Sequence, residues 1–150
     1  MSLIQLARTP SAPADPSGGD PRRGLDSRPR RLRRPELVNR VTTFVRDNLG
    51  EPLTIAELSR LAGVSERTLR AAFREALGLS PKQYTLGQRL CAAHDALLAA
   101  EPGRTTVTDV AMTYGFFELG RFAGRYRLAF GEPPSATLRH AMAMRSDQAA

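Results

Sequence analysis

Arginine is the side chain in this 150-residue sequence whose spacing suggests chemistry. Ser65, Glu66, Arg67, Arg70 and Arg74 fall on one face of a short helical pattern, and Glu118, Leu119, Arg121 and Arg125 fall on one face of another. A planar guanidinium can pair with two acceptors at once, such as O6 and N7 of guanine, and it also grips phosphate. Any one of these arginines is as readily an ordinary solvated charge. Other chemistry is poorly supported. His94 and His140 have no Cys or carboxylate at metal-ligand spacing, and the single Cys91 offers neither a disulfide nor a Cys-x-x-Cys pair. His94 reads as a satisfied packing residue and Cys91, one turn away, as a small buried hydrophobe. There is no phosphate-binding glycine loop, no Gly-x-Ser-x-Gly and no dinucleotide fingerprint after a strand. The sequence therefore predicts no catalytic residue, no metal ligand and no cofactor.

The elements that carry the two arginine faces are repeated. Ile55-x-x-Leu58-x-x-x-Ala62-Gly63 matches Val107-x-x-Val110-x-x-x-Tyr114-Gly115 at an offset of 52. Leu69, Phe73, Leu77, Gly78 and Pro81 then match Phe122, Tyr126, Phe130, Gly131 and Pro134 at an offset of 53. One residue has been added in the second turn. A repeat that keeps apolar positions and turn glycines while its charges change is a repeated fold unit, here a helix-turn-helix whose second helix is offered to a partner.

Around the repeat the chain reads as all-α. A packing helix runs through residues 35–49 on Leu37, Val41, Phe44, Val45 and Leu49, closing at Gly50. Thr54 and Glu57 form a capping box for the next helix, which stops at Gly63; Ser65 caps a third, closed by Gly78. Ser80-Pro81-Lys82-Gln83 starts a long fourth helix with Leu86, Leu90, Ala93 and Leu97 along one side. Twenty residues span roughly 30 Å. Thr106 to Asp109 is a third capping box, a sixth helix covers about 118–130, and a short final helix runs from Pro134 through Leu138. Seven helices thus form two helix-turn-helix units joined by a long linker helix. Major grooves recur along one side of B-DNA every 34 Å or so, close to the linker's length. A single chain would then read a direct, non-palindromic site, with no dimer required.

Charge is unevenly placed. Residues 1–35 hold eight Arg against three Asp, and the remainder contributes only +2 of the net +7. This Pro- and Arg-rich stretch has too few apolar side chains to offset the entropy of ordering and is expected to be a disordered tail. Residues 36–140 form the domain, and residues 141–150, which lack periodicity, are expected to fray. No apolar run is long enough to span a membrane or serve as a signal peptide, so a cytoplasmic location is expected.

The stretches ELSRLAGVSERTLRAAFREALGLSPKQYTLGQRL and VTDVAMTYGFFELGRFAGRYRLAFGEPPSATLR resemble the AraC/XylS family of transcription regulators over roughly residues 36–140. The doubled Gly-x-x-Pro after each second helix, Gly78 to Pro81 and Gly131 to Pro134, is the specific part of the match. The resemblance implies a seven-helix domain that binds double-stranded DNA at promoters and contacts RNA polymerase. It places base reading in the first unit on Arg67, Arg70 and Ala71, and in the second on Glu118, Leu119, Arg121 and Gly124. Ser65, Arg74, Arg125 and the amides at the helix starts then fall to the DNA backbone. Ala71 stands where members often carry a long polar residue. Leu119, Gly120 and Gly124 are unusual for hydrogen-bonded readout, although Leu119 suits a thymine methyl. Members usually carry a companion domain, whose place is held here by 35 residues, so the chain is either a stand-alone regulator or one part of a longer protein. Two other readings remain open. Apolar exposure at Phe117 and Leu119 would suit a protein–protein adaptor, and the Arg-rich tail a non-specific nucleic-acid binder.

Overall fold

The computed structural model describes residues 33–101 and 103–148. Among them are seven helices: α1 (Arg34–Asp47), α2 (Ile55–Ala62), α3 (Glu66–Leu77), α4 (Pro81–Leu98), α5 (Val107–Thr113), α6 (Leu119–Phe130) and α7 (Pro134–Gln148). No strand occurs among the described residues. The expected pair of helix-turn-helix units is present as α2–α3 and α5–α6, with α4 between them. The expected disorder of the N-terminal tail lies outside the described residues up to position 32, and Arg34 and Pro35 already belong to the first turn of α1.

Polar caps fix most of the helix starts. Thr54 Oγ1 accepts from the Glu57 amide at 3.2 Å while Glu57 accepts from the Thr54 amide at 2.8 Å. Ser80 and Gln83 repeat the arrangement at α4. At α5 the reciprocal half differs from the expected box. The Asp109 amide donates to Thr106 Oγ1 at 3.1 Å, but the shorter Asp109 carboxylate takes the Thr106 hydroxyl at 2.6 Å.

The repeat extends to the backbone hydrogen bonds. Gly63 N–H donates to the Arg60 carbonyl and Val64 N–H to the Ser59 carbonyl; Gly115 donates to Met112 and Phe116 to Ala111. Both glycines sit in the left-handed region, at φ 67° and 75°, which a Cβ would strain. The match breaks only after Phe116. Ser65 caps α3 and Glu118 precedes α6, so Phe117 is the added residue, and it is 69% exposed.

Two cores result. The first joins Leu37, Val41 and Val45 of α1 with Leu58 of α2, Leu69 and Phe73 of α3, and Tyr84 at the start of α4. The second joins Leu90, Ala93 and Leu97 of α4 with Val110, Ala111, Phe116, Phe122 and Tyr126, and Leu138 of α7 packs against it. One helix therefore serves both cores. At 18 residues α4 spans about 27 Å.

Two boundaries depart from expectation. Helix α1 stops at Asp47 rather than at Gly50, because the Asn48 side chain caps the Phe44 carbonyl at 2.8 Å. Helix α7 does not end near Leu138 but runs to Gln148. Ala, Met and Arg are strong helix formers that need no apolar stripe to continue a helix, and Ala141 is buried against the rest of the domain.

Candidate nucleic-acid interface

Helix α3 is oriented by its buried side. Leu69 and Phe73 are fully buried and Ala72 nearly so, which turns Arg67, Arg70, Ala71 and Arg74 to solvent along with the capping Ser65. The side chains expected to read DNA in this unit thus share one accessible face. Arg70 is held by Glu66 at 2.9 Å, one turn earlier. Arg67 and Arg74 have no ion-pair partner among the described residues.

Helix α6 is fixed in the same way by Phe122 and Tyr126, leaving Glu118, Leu119, Arg121, Gly124 and Arg125 exposed. Arg121 and Glu118 pair at 2.9 Å, so two residues expected to meet bases first meet each other. The Glu118 side chain makes no capping hydrogen bond. Phe117 and Leu119 are exposed at the start of α6, and Leu128 is 90% exposed on the opposite side of the same helix, about two and a half turns on. Counted by the offset of 53, Arg67 and Arg70 of α3 fall opposite Gly120 and Ala123 of α6. The two helices therefore offer different chemistry from the same scaffold.

Between the units lies a cleft of about 570 Å³, lined by Arg70 of α3, Lys82 and Arg89 of α4, and Arg125 of α6, with Leu53, Ile55 and Phe116 among its apolar walls. It has four cationic side chains and no carboxylate in its lining. Lys82 and Arg89 were not among the residues singled out from the sequence. Lys82 follows the cap of α4, a position visible locally, but the position of Arg89 depends on a partner far away in the chain. Arg89 Nη2 donates to the Glu51 carbonyl, and burial lowers the pKa of its guanidinium.

The expected packing role of His94 is met in a more polar form. Its ring stacks on Phe130 at 4.1 Å with the planes 6° apart, and Nδ1 lies 2.6 Å from the Tyr126 hydroxyl. Tyr126 donates to Thr137 Oγ1 at 3.0 Å, and Thr137 donates to Glu132 at 2.5 Å. This chain of bonds ties α4, α6 and α7 together behind the exposed face. Burial, against a lowering by the Thr137 bond, pushes the Tyr126 hydroxyl up to about 12. No group of three His, Cys, Asp or Glu that could hold a metal ion occurs among the described residues. Nor is any described helix long and apolar enough to cross a membrane.

Comparison with known proteins follows the same lines. A family described as a Helix-turn-helix domain matches residues 58–140. The probable thc operon regulatory protein of Rhodococcus erythropolis is 37% identical over 105 residues, 70% of this chain and 32% of that protein. The XylDLEGF operon transcriptional activator 3 of Pseudomonas putida is 40% identical over 100 residues, 67% of this chain and 30% of that protein. The chain thus spans about a third of the length of these curated relatives. Among solved structures, a probable AraC family transcriptional regulator from Rhodopseudomonas palustris superposes with a TM-score of 0.65 at 41% identity, covering 71% of this chain and 97% of that one. The DNA-binding domain of AdpA, solved in complex with a target DNA, gives 0.64 at 28% identity, covering 73% and 96%.

Proposed function

Because this chain belongs to the AraC/XylS family of transcription regulators, we propose that it is a sequence-specific double-stranded DNA-binding regulator that inserts α3 and α6 into successive major grooves. The observation that carries this reading is the doubled unit, with both second helices exposing arginines and a linker helix of about 27 Å between them. A similar domain, that of AdpA, forms a complex with a target DNA. Arg67, Arg70 and Ala71 would face bases in one groove, and Glu118, Leu119 and Arg121 in the next. Ser65, Arg74 and Arg125 would hold phosphates and set register. Since α3 and α6 present different side chains, the two half-sites differ in sequence and the site is a direct, non-palindromic one. Cytoplasmic location accompanies this role.

The testing experiment selects bound duplexes from random DNA with the full chain and titrates the best site at near-physiological salt. A motif covering two major grooves on one face, bound about 10³-fold or more above bulk DNA, is expected. Failure to enrich any motif would remove this reading.

A second reading rests on the apolar exposure of Phe117 and Leu119 at the start of α6, at 69% and 40%. It assigns these side chains to a protein contact, with RNA polymerase as the partner. Substituting Phe117 by Ser should then abolish polymerase recruitment while operator affinity is kept. Recruitment that follows DNA affinity alone would remove it.

A further inference from the structure

The two helix-turn-helix units touch each other beside α4 as well as through it. Gly50 lies in the connection between α1 and α2, and a Cβ built on it would stand 2.7 Å from the Thr113 carbonyl oxygen at the end of α5. Backbone of the first unit is therefore packed directly on backbone of the second. Gly115, in the turn between α5 and α6, completes the contact: its Cβ would lie 3.3 Å from the Gly50 carbonyl oxygen and 3.2 Å from Arg89 Cζ and Nη1. Arg89 reaches from the middle of α4 to the Glu51 carbonyl of the first unit while its flat guanidinium lies against the turn of the second. Its Nε is buried without a hydrogen-bond partner, so close packing on both sides, rather than a full set of bonds, holds the group there.

Two bodies that share one helix can still pivot about it. A second contact off the helix axis removes that freedom. We infer that Gly50, Arg89 and Gly115 form a seam that locks the two recognition helices at one separation and angle, so that this chain selects DNA by the spacing of its two half-sites as well as by their bases. The inference rests on the two-groove reading above. Inserting one base pair between half-sites turns one against the other by about 35° and moves it by about 3.4 Å, which a locked pair cannot follow. Glycine suits position 50 because a Cβ there would meet the Thr113 carbonyl, while position 115 favours glycine already by its φ of 75°. Arg89 acts as a positioning residue, separate from the exposed faces that would meet bases.

Gly50→Ala is the sharpest perturbation, since Gly50 is not among the positive-φ glycines and the added methyl acts only across the seam. Arg89→Ala removes the bridging cation, and Arg89→Lys keeps a donor for the Glu51 carbonyl. Each full-length protein would be titrated against the selected operator and against versions with one base pair inserted or deleted between half-sites, after thermal unfolding has shown it folded. The parent should lose on the order of 10-fold or more in affinity on either change, and Gly50→Ala and Arg89→Ala should discriminate by less than about threefold, with Arg89→Lys partly restoring the preference. A purely structural role would lower affinity for all three spacings together.

A measurement without DNA separates this idea from the function it rests on. Spin labels at Arg60→Cys on α2 and Thr108→Cys on α5, both exposed, in a Cys91→Ala background report the distance between units. A narrow distribution that broadens or shifts in Gly50→Ala supports the seam. An unchanged distribution in Gly50→Ala and Arg89→Ala, or unchanged spacing discrimination in both, overturns it. Should the parent bind no bipartite site at all, the functional reading fails and the distance distribution still decides the seam.

Discussion

Replacing Arg121 by Ala separates base reading from general electrostatic attraction at α6. In the free protein Arg121 pairs with Glu118 at 2.9 Å, with the two side chains 70% and 64% exposed. A pair so exposed contributes about 0.5 kcal/mol at most, so the substitution should leave folding stability nearly unchanged. On DNA the balance differs, because Arg121 must exchange a weak surface carboxylate for a guanine edge in a partly dehydrated groove. If it does so with both donors, the loss is about 1–3 kcal/mol, or roughly 5- to 150-fold in affinity, confined to one base position. Glu118 supplies a companion variant. In Glu118→Gln the arginine is released from its carboxylate while the preference for any base that Glu118 itself faces is lost, so the effect should again be confined to single base positions. The assay is titration of the selected operator and of every single-base variant of it, at one fixed salt concentration, by the parent and both variants. A drop in Arg121→Ala that is equal across all sequences would refute base reading and assign the residue to phosphate. Unchanged affinity would mean that Arg121 never leaves Glu118.

Other predictions concern the scaffold and the tail. The Tyr126 hydroxyl, raised from the ordinary 10.0 to about 12, favours folding in its protonated form. Its contribution is complete below pH 10 and is lost as pH rises towards 12, up to about 2–3 kcal/mol in all; chemical denaturation over that range checks it, and a flat profile would contradict it. Phe73→Ala removes a fully buried ring that meets Tyr84 edge-on at 5.9 Å, and it should cost about 3–5 kcal/mol and lower Tm by roughly 10–20 °C, read by calorimetry. A loss under about 1 kcal/mol would show that the first core repacks around the gap. Deleting residues 1–32 should leave operator preference intact while reducing affinity for bulk DNA and its salt slope, because the arginines there add positive charge outside the two helix-turn-helix units; loss of operator preference on deletion would move recognition into the tail.

Much of the fold was legible because its determinants are local. Capping residues at Thr54, Ser65, Ser80 and Thr106, and turn glycines at Gly63 and Gly115, act over three or four residues, so a linear pattern reveals them. The repeat then fixed the faces, since knowing that Leu69 and Phe73 point inward decides where Arg67 and Arg70 point. Contacts across long stretches of chain were not legible. Arg89 meets a carbonyl 38 residues away, and the Tyr126 hydroxyl meets His94 32 residues away. No periodicity encodes either. The extent of α7 was missed for another reason: helix propensity without an apolar stripe looks like an unpatterned end. The Glu118–Arg121 pair, by contrast, has a readable spacing of three across the start of α6, although each residue taken alone reads as a separate DNA contact.

The two hydrophobic cores are drawn from stretches that do not overlap, Leu37 to Tyr84 and Leu86 to Leu138, although both include part of α4. As the chain leaves the ribosome, the first core has every side chain it needs about fifty residues before the second is complete. It can therefore close during synthesis without waiting for a distant strand or a late segment. The growing chain never has to store a large apolar surface while partners are made. Each core is drawn from a window of about fifty residues.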